Sequence, residues 1–93
     1  MLQVSFDIVV DADEMDADTF MNFVDQKLYD KYHGDVSPAV RSGRPLVDGT
    51  VLAETVTSAL SGVMCDLESL GFRIKSVEVW EAIEVAPSPQ TTE

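Results

Sequence analysis

Five carboxylates fall within eight residues of this chain, at Asp11, Asp13, Glu14, Asp16 and Asp18. Hard cations such as Ca²⁺ and Mg²⁺ take oxygen ligands, so a metal loop is the first chemistry this spacing suggests. A calcium loop beginning at Asp11 would need glycine at its sixth position and glutamate at its twelfth. The chain has Asp16 and Asn22 there, with Met15 at the fifth. A plainer use of these acids is helix capping. Asp16 suits an N-cap and Asp18 the first helical turn, where negative charge meets the positive end of the helix dipole. A metal-dependent enzyme or metal-binding domain is one alternative resting on this run; no metal and no cofactor is expected.

The same acids, extended along a helix by Asp25, allow a second use. A row of carboxylates on a rigid surface can imitate nucleic-acid phosphates, as some small phage inhibitors do when they block nucleic-acid-binding enzymes or defence complexes. Lys27 and Lys31 interrupt that surface. Asp outnumbers Glu ten to seven and there are only three lysines, so solubility or salt adaptation is the favoured explanation of the acidity.

Other reactive side chains are isolated. His33 is the only histidine and falls between Tyr32 and Gly34 at a helix end, where it caps the helix and complements its dipole. Cys65 is the only cysteine, which excludes an internal disulfide framework and a cysteine-rich zinc site. It sits late in a helix beside Asp66 and Glu68, surroundings that raise a thiol pKa rather than activate the group. Asp7 and Glu78 would face each other across adjacent strands if both ends of the chain are extended. No nucleophile, phosphate loop or oxyanion feature accompanies them. The chain is therefore expected not to be an enzyme.

Two features point to a protein partner instead. Trp80 is the sole tryptophan, and in strict alternation it falls with Ile74, Ser76 and Glu78, opposite Val77 and Val79. That places Trp80 and Ile74, with Val9, on the sheet face away from the helices. RNA-binding sheets display aromatics there among basic residues, whereas the companions here are Asp7 and Glu78. Tryptophan is enriched at protein interfaces. The second feature is the basic turn Arg41-Ser42-Gly43-Arg44, which can grip a phosphate or a partner's carboxylate, or, the favoured use, pair with the chain's own acids.

The elements that position these residues follow from hydrophobic period. Leu2, Val4, Phe6, Ile8 and Val10 alternate as a half-buried strand. From Ala17, the residues Phe20, Met21, Val24, Leu28 and Tyr32 step by three and four as a helix that stops at Gly34. Val36 to Val40 is a short strand that Pro38 confines to an edge, and Pro45 to Val47 is a second short strand. Asp48-Gly49-Thr50 is expected to break the chain, with Thr50 capping a long helix over Val51 to Leu70, on which Leu52, Val56, Ala59, Leu60, Val63, Leu67 and Leu70 step by three and four. The reverse face of that helix is small: Thr55, Ser58, Gly62, Cys65 and Ser69. Phe72 to Val85 is extended, with a bulge near Glu81-Ala82, and 86–93 is a polar tail, so the domain is expected over residues 1–85.

This order resembles the ferredoxin-like βαββαβ plan: an α+β two-layer sandwich, two helices on one face of an antiparallel sheet. The resemblance is one of topology. The central hairpin is expected to be short or incomplete, leaving part of the first strand's edge unpaired, and unpaired edges recruit other strands. A homodimer completed through the sheet is the corresponding expectation. Ligand-binding ACT modules share the topology but turn through glycine after the first strand, where Asp11 to Asp18 has none. Residues 51–82, ending Val-Glu-Val-Trp-Glu-Ala, are similar to the final helix and strand of tetrahydropterin-synthase-like enzymes, whose zinc site takes three histidines. Neither resemblance carries an activity to this chain.

The whole sequence bounds these readings. It has 93 residues and a formal net charge of −11, with 45% hydrophobic and 25% charged residues, which fits one compact domain. The charge disfavours direct binding to nucleic acid or an anionic membrane. No apolar run is long enough to span a bilayer and Met1-Leu2-Gln3 does not begin a signal segment, so a cytoplasmic location is the default expectation. Residues 1–35 carry −7 and residues 51–93 carry −5, whereas 36–50 carry +1, so the turn at Arg41 and Arg44 is a basic spot on an acidic body. The leading expectation is a small acidic, non-enzymatic interaction module that self-associates and docks on another protein through Trp80, Ile74, Arg41 and Arg44.

Overall fold

The computed structural model of the chain describes residues 1–85. Its elements run β1 (Leu2–Asp11), α1 (Ala17–Tyr32), β2 (Val36–Arg41), β3 (Arg44–Ala53), α2 (Val56–Ser69) and β4 (Arg73–Glu84). The strands form one antiparallel sheet in the order β2-β3-β1-β4, permuted relative to the chain. The polar tail expected over 86–93 lies outside the described residues.

The core is a single cluster. Val4, Phe6, Ile8 and Val10 of β1 are buried with Phe20, Val24 and Leu28 of α1 and Ala59, Val63 and Leu67 of α2. Both helices thus cover one sheet face, the two-layer α+β arrangement of the ferredoxin-like plan. Each such side chain contributes about 1.5–3 kcal/mol on leaving water, which makes this layer the main source of stability. Phe72 closes one end, with Phe20 and Phe23 packed edge-on against its ring at 5.6 and 6.1 Å between centroids.

Local signals set most boundaries as expected. Asp16 is the N-cap of α1, its Oδ1 accepting the Thr19 backbone N–H at 2.7 Å. The helix ends at His33, whose backbone is left-handed (φ 54°), and Gly34 follows at φ 90°. Ser42 and Gly43 both have positive φ, 53° and 73°, which suits a two-residue hairpin turn joining β2 to β3.

The central hairpin is where sequence and structure part. Asp48-Gly49-Thr50 does not break the chain; it lies inside β3, a strand of ten residues. Gly49 serves a close approach. A Cβ there would stand 2.3 Å from the Asp35 carbonyl oxygen and 2.7 Å from the Val36 Cα. Residues 51–53 are therefore strand, and α2 begins at Val56 under a capping box made by Thr55 and Ser58 rather than under Thr50. Leu52 matched the helical stripe by spacing, yet it stands exposed on the sheet.

This overturns the expected gap in the sheet. β3 covers β1 from Leu2↔Ala53 to Val9↔Leu46, and β4 covers its other side from Leu2↔Glu84 to Asp11↔Arg73. No edge of β1 is left for a second chain. The unpaired edges belong to β2, blunted by Pro38, and to β4.

β4 carries two register shifts against β1. Ser5 pairs with Glu81 and Phe6 with Val79, so Trp80 is the extra residue at one bulge, one position before the expected slip. Val9 pairs with Ser76 and Val10 with Ile74, so Lys75 is the extra residue at a second bulge. The second shift was not readable from alternation. It turns Ile74 to the helix side, where it packs on the core, and so removes it from the outer face assigned to it with Trp80 and Val9.

Candidate functional site

The sheet face opposite the helices has no covering layer among the described residues. Its lining follows from the pairing registers. Asp48, Asp7 and Glu78 form one cross-strand row; Thr50, Ser5 and Glu81 the next; Leu52, Gln3 and Ile83 the third. Leu46, Val9 and Ser76 form the row beyond Asp7, so the charged row of Asp48, Asp7 and Glu78 lies between polar and apolar rows.

Arg41 lies against the charged row. It is exposed, and its Nη1 donates to Asp7 Oδ2 at 2.9 Å while its Nη2 donates to Asp48 Oδ2. Of the two uses open to the basic turn, Arg41 takes the internal one. Arg44, opposite Arg41 in the hairpin, makes no ion pair among the described residues. Between them and β4 lies a shallow hollow of about 200 Å³ lined by Asp7, Val9, Arg41, Arg44, Ser76 and Glu78. Asp7 and Glu78 are register partners as expected, but Asp7 is held by Arg41, and its buried Oδ1 has no hydrogen-bond partner. Deeper on the face, Ser5 and Thr50 share a hydroxyl–hydroxyl bond at 2.9 Å. Sequence reasoning missed Asp48 and Thr50 because it ended the strand there. Continuing the alternation from Leu46 would have found both.

The second feature of this side is β4 itself. Every residue but Ile74 is exposed, including Val77, Val79, Ile83 and Trp80, the last at 60%. Val77 and Val79 pair with Ile8 and Phe6, so they face the helix side, yet at the sheet margin they remain open. Trp80 is thus exposed as expected, in company with these valines rather than with Ile74.

The acidic run stands at the C-terminal end of β1, beside the Arg41–Arg44 turn, and in the turn to α1. Asp11 is half-buried, and its Oδ1 accepts the Asp13 backbone N–H at 3.3 Å; Asp13, Glu14, Asp16 and Asp18 are exposed. The Thr19 backbone N–H holds the Asp16 carboxyl below its usual pKa, assisted by the Thr19 side chain. Asp25 is exposed along α1. Among the described residues, no three His, Cys, Asp or Glu side chains converge as a metal site.

A third cluster joins the two helices. Tyr32 donates its hydroxyl to Asp66 Oδ2, and Lys31 Nζ donates to the same carboxylate at 2.9 Å. Burial pushes the Tyr32 hydroxyl well above the usual tyrosine pKa, followed by the bond to Asp66, its negative charge, and Cys65. Tyr32 is therefore a proton donor across the physiological range. Sequence reading saw Asp66 only as a neighbour of Cys65. Cys65 itself is a free, exposed thiol, and the small-residue side of α2 around Gly62 is likewise open.

No helix of the described residues is long and apolar enough to cross a membrane. No family model, no curated protein and no solved structure matches the chain. Function is therefore argued from geometry alone.

Proposed function

We propose that the chain is a small, non-enzymatic protein-interaction module that accepts an extended protein segment along β4. The observation that carries this reading is the outer strand: twelve residues with a free edge and with Val77, Val79, Trp80 and Ile83 exposed. A free edge offers backbone donors and acceptors in register, and a partner strand satisfies them while its side chains meet the exposed apolar groups. Arg44 lines the hollow beside β4 and can meet a partner carboxylate there. The groups best suited to chemistry have structural duties: Arg41 bridges two strands, Tyr32 and Lys31 tie α1 to α2, and Asp16 caps α1.

The test is quantitative affinity capture of partners by wild type and by Val77→Lys and Trp80→Ala chains, with folding checked by circular dichroism. Proteins retained by wild type and lost from both variants are expected. An identical retained set would overturn the reading.

A further inference from the structure

The charges of β4 are sorted along its length. Arg73 and Lys75 stand at its start, Glu78 near its middle, and Glu81 and Glu84 in its second half. Of these, Arg73, Lys75, Glu78 and Glu81 make no ion pair among the described residues. A strand so divided has an obvious complement, which is itself reversed. When two copies lie antiparallel, the basic start of each meets the acidic end of the other, and a two-fold axis makes that contact twice. A parallel arrangement would set like against like.

We infer that the partner fitting this edge is a second copy of the chain, paired antiparallel through β4 about an axis near Val79. The inference rests on the reading of β4 as a docking strand and names its occupant. With the axis near Val79, the Arg73–Lys75 start of each copy lies toward the Glu81–Glu84 end of the other, and Val77, Val79 and Trp80 gather about the axis. Two four-stranded sheets then continue as one of eight strands. Elsewhere the bodies repel, because each copy carries −11. That repulsion is screened beyond about 8 Å at 0.15 M salt, whereas the edge charges lie in contact. The edge is thus a place where each copy offers the other both signs in complementary order. Contact through one strand is small beside the roughly 1,600 Å² of a standard interface, so a micromolar dimer is expected.

Sedimentation equilibrium at physiological salt, from about 1 to about 100 µM, tests this. The wild type is expected to approach twice the chain mass. A chain carrying Arg73→Glu and Lys75→Glu, and another carrying Glu78→Lys and Glu81→Lys, are each expected to stay monomeric. Their equimolar mixture is expected to regain the dimer, which also shows that both are folded. In the wild type, hydrogen exchange of β4 amides is expected to slow as concentration rises. A wild-type monomer throughout, charge-altered chains that each still dimerise, a mixture that stays monomeric, or β4 exchange that ignores concentration would overturn the pairing. The docking reading fails separately, when the Val77→Lys and Trp80→Ala chains keep the same captured proteins.

Discussion

Arg41 and Asp7 lie 34 positions apart in the chain, yet their side chains meet at 2.9 Å on the uncovered sheet face. The contact ties β2 to β1 across β3, because the same guanidinium also reaches Asp48. Three adjacent strands are thereby laced by one side chain.

Removing that side chain should leave two neighbouring carboxylates without their cation. Arg41→Ala is expected to destabilise the fold by about 1–2 kcal/mol in urea denaturation. Adding Asp7→Asn should return part of the loss, since the repulsion with Asp48 and Glu78 falls. Equal and additive losses in the double variant would mean that the pair is not coupled.

Gly49 and Gly43 should respond to alanine for different reasons. At Gly49 the new methyl would meet the backbone of Asp35 and Val36, which cannot swing aside, so a loss of roughly 1–3 kcal/mol is expected. At Gly43 nothing lies within 4 Å, and the cost is that of a positive φ (73°), about 1 kcal/mol. Thermal melts of the two variants measure the difference.

The fold itself was largely legible, for reasons these glycines illustrate. β1 and α1 could be read because alternation in one and three-four spacing in the other were unbroken from Leu2 to Tyr32. β3 could not, because Gly49 is also the residue that ends strands, and only the path of Asp35–Val36 beside it reveals its real task. Once β3 was cut short, Leu52 joined the helix pattern by coincidence of spacing, and Asp48 and Thr50 dropped out of the outer face. The exposed Trp80 was anticipated from sequence, whereas Ile74 was misplaced because a bulge at Lys75 leaves no mark in hydrophobic pattern. The charge division along β4 was present in the sequence throughout, but it acquires meaning only when that strand is known to lie at an edge.

Asp16 should make stability fall in acid. Its pKa in the folded state is below the ordinary 3.8, so its contribution is complete above that value and is lost as pH drops through the depressed one. Asp16→Ala is expected to melt at a lower temperature than wild type near neutrality, with the gap closing below about pH 4. A gap that persists unchanged in strong acid would show that the carboxylate's charge is not what caps α1.

Tyr32 has the opposite sign. Its folded pKa is raised, so its contribution is complete below the unfolded value of about 10 and disappears as pH rises above that. Wild type should therefore lose stability more steeply than Tyr32→Phe above pH of about 10. Near neutrality the variant should be less stable by roughly 1 kcal/mol, for want of the bond to Asp66. Parallel alkaline profiles for the two chains would contradict this.

The bulges at Lys75 and Trp80 cut the outer edge into three short registers, 73–74, 76–79 and 81–84. A strand laid alongside keeps step for only a few residues before it must bend or leave. Such an edge can close a pair but is a poor seed for indefinite growth, and at the opposite margin Pro38 interrupts the run of backbone donors. Irregularity in β4 thus weighs against fibre formation: the molecule leaves a strand edge exposed without offering a long regular template for stacking.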